Sequence, residues 1–268
     1  MMLTQVTMDL INVTGVRVAR SRADLALAPG EIALGGGTWL YSEPQPGVTG
    51  LVDLTGMGWE PVTRTPEMIT IAATCPVATL RDLPGSALFR QCADSLLASW
   101  KIQNIATVGG NIATALPAGP MTSLAASLDG TAVIWSADRE RRMPVAQFVT
   151  GVRTTALEPG EVLRAVELPI SALHRTAFRR ISLSPLGRTG TLVIGRRDAS
   201  AETVITVTGG TTRPRVLRFA TLPSAEAVTT AIDAIDDWYD DPHGAPDWRH
   251  AMSRRFALEI LEELSHAV

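Results

Sequence analysis

Gly35-Gly36-Gly37-Thr38 and Gly109-Gly110-Asn111 are the residues of this chain whose types and spacing best suit a ligand. Consecutive glycines lack Cβ atoms, so several backbone N–H groups can converge on one anion. Both runs sit in longer segments, Ala33-Leu34-Gly35-Gly36-Gly37-Thr38-Trp39-Leu40 and Ala106-Thr107-Val108-Gly109-Gly110-Asn111-Ile112-Ala113. Thr38, Thr107 and Asn111 add side-chain donors there. A diphosphate is a natural guest for two such loops. A tight turn asks for the same glycines, so spacing alone leaves the ligand open.

Other chemistries are disfavoured by what the sequence lacks. Counting six positions from Gly35 arrives at Leu40, so the G-x-G-x-x-G dinucleotide fingerprint is broken. Lys101 is the only lysine and follows Trp100, which removes a Walker A loop. The four histidines, His174, His243, His250 and His266, form no H-E-x-x-H pair. There is no G-x-S-x-G elbow. No catalytic acid–base set and no metal-ligand set is expected. Such a chain suits chemistry done by a bound cofactor. The acidic run Asp236-Asp237 and Asp240-Asp241 reads as a solvated loop.

Cys75 and Cys92 are the only cysteines. A 2Fe–2S cluster takes four ligands, so this chain supplies too few cysteines for one. Nor do they make a disulfide framework, which fits a reducing cytoplasmic setting. Both read as small buried hydrophobes. The 268 residues are 46% hydrophobic and 19% charged, with a net charge of −3, a globular composition without the basic face of a nucleic-acid binder. No basic residue precedes Arg17 and Asp9 interrupts the first apolar run, so no secretory signal is expected. The uncharged stretch between Lys101 and Asp129 holds Gly109, Gly110, Asn111, Pro117, Gly119 and Pro120. It reads as a loop followed by a helix, and no membrane span is expected.

The elements that must position these residues follow from periodicity and punctuation. Ser21-Arg22-Ala23-Asp24 is a capping box, which predicts a short helix ending near Ala28 before Pro29-Gly30. Short strands are expected at 31–34 and 51–54, giving the first fifty residues an α/β alternation. Further strands are expected at 68–74, 131–136 and 162–168. Pro76 opens a helix, an apolar stripe (Leu88, Cys92, Leu96, Leu97) predicts another within 83–99, and a third covers 121–128. Beyond Pro169 the composition changes. Strands at 177–183, 191–196 and 202–208 read as antiparallel, followed by helices over 224–235 and 248–264. The fold class is α+β, with a domain boundary near Ser171.

In its motifs the chain resembles the FAD-binding medium subunit of molybdenum hydroxylases, the xanthine dehydrogenase and carbon monoxide dehydrogenase group. The first flavin loop of that family, approximately A-G-G-T-D-L, is matched by Gly35-Gly36-Gly37-Thr38-Trp39-Leu40. The second, I-R-N-x-A-T-I-G-G-N, is matched more specifically by Ile102-Gln103-Asn104-Ile105-Ala106-Thr107-Val108-Gly109-Gly110-Asn111. Downstream similarity covers Phe148 to Thr155, Leu157 to Leu163 and the Glu167-Leu168-Pro169 close. It continues through Gly209-Gly210-Thr211-Thr212-Arg213-Pro214, Asp247-Trp248-Arg249 and Arg254-Arg255. The chain departs from the family at Trp39, at Pro120 and at Leu183-Ser184, the last following Phe178-Arg179.

The resemblance implies a two-part FAD-binding domain of the PCMH type over 1–171, with subdomains about 1–56 and 57–171. A C-terminal antiparallel sheet packed on helices follows over 172–268. It implies non-covalent FAD held by Ala33, Leu34, Gly35, Gly36, Gly37, Thr38, Trp39, Leu40, Thr107, Val108, Gly109, Gly110 and Asn111. Leu163 is expected near the adenine, and Arg179 is expected to join the cofactor site. It also implies a small subunit carrying 2Fe–2S clusters, a large molybdopterin subunit and a small-molecule electron acceptor as partners. The function implied is electron transfer through FAD in a cytoplasmic hetero-oligomer. Two other readings stay open: an FAD-free structural paralogue, and a stand-alone FAD-dependent reductase or oxidase.

Overall fold

The computed structural model describes residues 10–266, so the reading of the extreme N-terminus lies outside the described residues. In chain order the elements begin with strands β1 (Gly15–Val18), β2 (Glu31–Leu34), β3 (Gly50–Asp53), β4 (Val62–Arg64) and β5 (Met68–Ala72). Five helices follow: α1 (Val77–Arg81), α2 (Ala87–Asp94), α3 (Trp100–Ile105), α4 (Val108–Thr114) and α5 (Pro120–Ser127). Then come β6 (Thr131–Trp135), β7 (Glu140–Pro144), α6 (Val145–Phe148), β8 (Val149–Gly151), β9 (Thr154–Thr155) and β10 (Val162–Pro169). The last part is β11 (Thr176–Ile181), β12 (Thr191–Arg197), β13 (Thr203–Thr208), β14 (Arg215–Phe219), α7 (Ala225–Asp233) and α8 (Pro246–Ser265).

Three larger sheets and the two-stranded β8-β9 pair organise the described strands. β1 and β2 both pair parallel to β3, giving the order β1-β3-β2. The second sheet has the order β4-β5-β10-β6-β7 and is antiparallel throughout. Its central strand β10 buries Val162, Leu163, Ala165, Val166 and Leu168 around a register shift between Leu163 and Ala165, and Leu168, Ile134 and Phe148 are fully buried in the core it shares with α1, α2, α4 and α5. Burying one such side chain contributes about 2 kcal/mol. The third sheet, β11-β12-β13-β14, is an antiparallel meander. The core between it, α7 and α8 contains Ile205, Val207, Ile232, Ala257 and Ile260. β13 is buried at every position, because its other face meets α5, where Ser123 and Thr208 share a buried hydroxyl hydrogen bond of 2.7 Å.

Several elements differ from the periodicity reading. The Ser21 box closes only a 3-10 turn, Arg22–Leu25. There the Asp24 carboxylate accepts from the amides of Arg20 and Ser21, while the Asp24 amide goes to the Ser21 carbonyl rather than to its hydroxyl. The 83–99 helix shrinks to α2, because Leu97 adopts a left-handed conformation (φ 49°) past its end. Strands β1, β4, β7 and β14 went unread: they are short, and β7 (ERRMP) exposes every second residue. The acidic run is only partly solvated. Asp237 holds Arg215, and Asp241 holds the fully buried Arg249.

Candidate functional site

A cleft with a volume of about 570 Å³ lies where the connections of the three larger sheets meet. One wall is the β2–β3 connection, Ala33 to Leu40. The second is built from the segment after α2, from Ile102 of α3, and from Thr107, Gly110, Asn111 and Thr114 around α4. Arg153 of the β8–β9 turn and Leu186, Arg188 and Thr189 of the β11–β12 connection close it.

The two glycine segments, read alike from the sequence, are built differently. Gly35 to Trp39 follow β2 in an irregular turn. None of their five backbone N–H groups donates to a protein oxygen among the described residues. Gly36 is glycine because the loop crosses the α3–α4 junction at contact distance, where a Cβ would lie 1.8 Å from the Ile105 carbonyl oxygen. A Cβ on Gly35 would lie 2.6 Å from Thr107 Oγ1, so the two segments are packed on each other.

The second segment is a helix, not a loop. Thr107 caps α4, its Oγ1 accepting from the Gly110 amide at 3.1 Å. The other first-turn amides are also spent inside the protein: Val108 on the Cys75 carbonyl (2.8 Å) and Gly109 on the Ala73 carbonyl (2.9 Å). These bonds stitch α4 to the end of β5, and Gly109 is glycine so that helix and strand can touch. A Cβ there would meet Ala73 Cβ at 2.3 Å. Asn111 Oδ1 accepts from the Met121 amide at 3.0 Å and so holds the start of α5. Pro120, one of the family departures, is the first residue of α5 and is buried. The amides left free for a ligand among the described residues therefore come from the first segment. The second supplies a rigid floor, on which Gly110 leaves room for a ligand.

Of the expected site residues, Ala33 to Leu40, Thr107, Gly110 and Asn111 come together around the cleft. Val108 and Gly109 turn away into the core. Leu163 and Arg179 stand apart from it. Leu163 is buried on β10 opposite Ile134 of β6. Arg179 crosses to α8, where Glu259 (3.1 Å) and Glu263 (2.8 Å) occupy its guanidinium. The sequence reading missed Arg153 and Arg188, the only charged side chains on the cleft wall among the described residues. Isolated arginines in connecting segments carry no spacing signal.

The electrostatics and the lining favour one kind of guest. Among the described residues no carboxylate lines the cleft, while two guanidinium groups do. Ile32, Leu96, Leu97, Leu116 and Leu186 provide an apolar part. A buried donor, Trp39 Nε1, has no partner. A long ligand with an anionic middle and flat apolar ends fits these features, and the volume falls within the roughly 300–1,000 Å³ of small-molecule and cofactor sites. FAD is such a ligand. Neither cysteine contributes: both are buried, and burial pushes the Cys75 thiol up to about 11. Among the described residues no group of three or more His, Cys, Asp or Glu could hold a metal ion, and no helix is long and apolar enough to cross a membrane.

Comparison with known proteins agrees with this geometry. A nicotinate dehydrogenase FAD-subunit from Eubacterium barkeri is 31% identical over 128 residues, 44% of this chain and 43% of that one. A xanthine dehydrogenase from Emericella nidulans is 32% identical over 92 residues, 34% of this chain but 7% of the much longer relative. The aligned stretch thus spans less than half of either relative. Carbon monoxide dehydrogenase from Hydrogenophaga pseudoflava has a chain of the same fold, with a TM-score of 0.78, 20% identity, and coverage of 93% of this chain and 96% of that one. The family model described as the FAD binding domain in molybdopterin dehydrogenase matches residues 22–171, more than half of the sequence. By that match the chain belongs to the family of FAD-binding domains of molybdopterin dehydrogenases.

Proposed function

We propose that this chain binds FAD non-covalently in the cleft between its subdomains and acts as the flavin subunit of a molybdenum hydroxylase. In this reading electrons arrive from a 2Fe–2S partner subunit and leave for a small-molecule acceptor. The observation that carries the reading is the row of five unspent amides from Gly35 to Trp39 in a cleft lined by arginines and no carboxylate. Backbone donors of this kind are fixed before the ligand arrives, so they cost little ordering on binding. Bound FAD would supply two-electron chemistry at its ring, and the protein supplies binding, orientation and electrostatics.

Each wall has its own task. Gly35 to Trp39 hold the diphosphate through their amides. Gly110 keeps the α4 surface low beneath it. Leu96, Leu97 and Ile102 offer apolar contact to a flat ring and exclude water from it. The relative named as an FAD-subunit supports the assignment of a separate flavin chain. The two-cysteine count agrees with clusters held elsewhere. The setting proposed is the cytoplasm.

The test is the flavin content of the purified chain. Yellow protein that releases its chromophore to the supernatant on denaturation is the expected result. A flavin retained on precipitated protein would contradict the non-covalent link. Colourless protein that FAD fails to reconstitute would favour the structural paralogue.

A further inference from the structure

Arg188 is an unspent cation held in position by a second arginine. It lies in the β11–β12 connection, lines the cleft, and makes no ion pair among the described residues. Its guanidinium carbon stands 5.7 Å from the centre of the Trp39 ring, within cation–π range. Trp39 is the last of the five residues with unspent amides, and its buried Nε1 has no partner either. Behind the connection, Arg180 of β11 clasps the residues on both sides of Arg188. Its Nε donates to Thr189 Oγ1 at 2.7 Å and a terminal nitrogen donates to the Gly187 carbonyl at 2.6 Å. Arg180 has no carboxylate partner, and burial lowers its pKa. A half-buried charge used only to brace a connection is costly unless what it braces matters.

We propose that Arg188 is a cofactor-binding residue that pairs with the diphosphate held by the Gly35–Trp39 amides. Trp39 is its platform and Arg180 its positioning residue. This deepens the FAD reading and rests on it. The pair also explains Trp39 at a place where the resembling family has a small or acidic residue. An indole there adds no charge of its own and holds a cation. The β11–β12 connection thereby becomes the third wall of the site. Binding the cofactor would fasten the C-terminal sheet to the first subdomain through Trp39 and Arg188.

The experiment is a titration of full-length apoprotein with FAD, with ADP and with riboflavin, followed by tryptophan and flavin fluorescence at low and moderate salt. Arg188→Gln is expected to weaken FAD and ADP binding by about 10- to 100-fold, the range for losing a charge-assisted hydrogen bond. Riboflavin, which has no phosphate, is expected to be unaffected. The salt dependence of ADP binding is expected to flatten in the same variant. Arg188→Lys is expected to recover part of the loss, and Trp39→Leu to weaken ADP binding several-fold with the charge still present. Arg90→Gln, the same charge change on the surface pair with Asp82, serves as control. Parent-like ADP affinity and salt slope in Arg188→Gln would overturn the proposal while leaving the FAD reading standing. An equal loss for riboflavin would also overturn it, by moving Arg188 from the diphosphate to the ring. A parent protein that binds neither FAD nor ADP would remove the FAD reading, and this proposal with it.

Discussion

Neighbouring glycines in one motif do different work, and substitutions separate them. Gly109 faces Ala73 with no room for a Cβ, while Gly110 has only Thr107 Oγ1 near its missing side chain, at 2.8 Å. Gly109→Ala is therefore expected to lower stability by about 1–3 kcal/mol, the cost of overpacking a close contact. Gly110→Ala is expected to keep most of the stability and lose FAD. Urea unfolding and flavin-to-protein absorbance ratios read the two effects. Equal flavin loss with equal destabilisation in both variants would mean that the two glycines share one structural role. The spacing of Thr107 to Asn111 identified the segment but could not say which face each residue presents. Gly36 carries a related lesson. A bulky residue there strikes the Ile105 carbonyl before it reaches any ligand, so lost cofactor in such a variant would not by itself report on the diphosphate.

At the scale of elements, strands with strong punctuation were legible and elements fixed by tertiary contact were not. β2 matched its reading because Pro29-Gly30 precedes it and the glycine run follows it. α4 was hidden because glycine costs about 1 kcal/mol per residue in a helix relative to alanine, so Gly109-Gly110 reads as a loop. What makes it helical is the cap from Thr107 and the pairing of its first amides with Ala73 and Cys75, which are distant in sequence. The approach to β10 offers a test of another tertiary device. Glu161 is buried, accepts from Arg141 at 2.5 Å and from Arg139 at 3.0 Å, and also takes the Glu158 amide. Arg141 foremost, then the Glu158 amide and Arg139, hold its pKa at about 2 against the ordinary 4.5, despite burial pulling the other way. The folded value lies below the unfolded one, so the stabilisation is complete above pH of about 4.5. It is lost as pH falls from there toward about 2. Glu161→Gln is expected to cost about 1–3 kcal/mol at neutral pH, since it removes the carboxylate of the partly buried Arg141, and to flatten the acid limb of the stability profile. Denaturant midpoints measured from pH 3 to 7 decide. An unchanged acid limb would assign the pH dependence to other carboxylates.

At the scale of the molecule, the C-terminal sheet is joined to the family-matched half by charge as well as by the α5 packing. Asp129, in the turn between α5 and β6, pairs with both Arg196 and Arg218 of the third sheet, and the Arg196 side chain is almost fully buried. Asp129 adopts a left-handed conformation (φ 53°), which asparagine also tolerates. Asp129→Asn thus removes the charge and keeps the turn. Arg196 keeps Asp198 at 3.5 Å and Arg218 keeps Glu202 at 3.2 Å, so the expected cost is about 1–3 kcal/mol, that of weakened charge-assisted hydrogen bonds. If the β11–β12 connection is the third cleft wall, the same variant should also weaken FAD binding, by less than Arg188→Gln does. Calorimetry with and without FAD would show it. A variant destabilised but with parent-like affinity would mean that the connection holds its place without this junction.

The assembly itself supplies the last test. A flavin in this cleft has to receive electrons, and among the described residues the cleft wall shows no group suited to draw them from an organic substrate. The two cysteines are buried and too few for a cluster, and the cleft wall offers arginine and amide donors but no carboxylate or histidine to act as a base. On the proposed subunit reading, reduction comes from a partner docked near the cleft, because electron transfer weakens steeply with distance. Around the mouth, Trp100, Ile105 and Leu186 are exposed, with Leu186 85% accessible, and a surface of this kind is suited to burial against another chain. The isolated holoprotein is expected to be bleached by dithionite and to remain oxidised with purines, aldehydes or N-heterocycles. Affinity capture from the native source is expected to bring down one chain with iron and acid-labile sulfide and one with molybdenum. Trp100→Asp, at an exposed residue outside the cleft lining, should reduce that capture while leaving the flavin content of the single chain unchanged. Substrate-driven bleaching of the metal-free chain alone would instead establish a stand-alone oxidase or reductase and end the subunit reading.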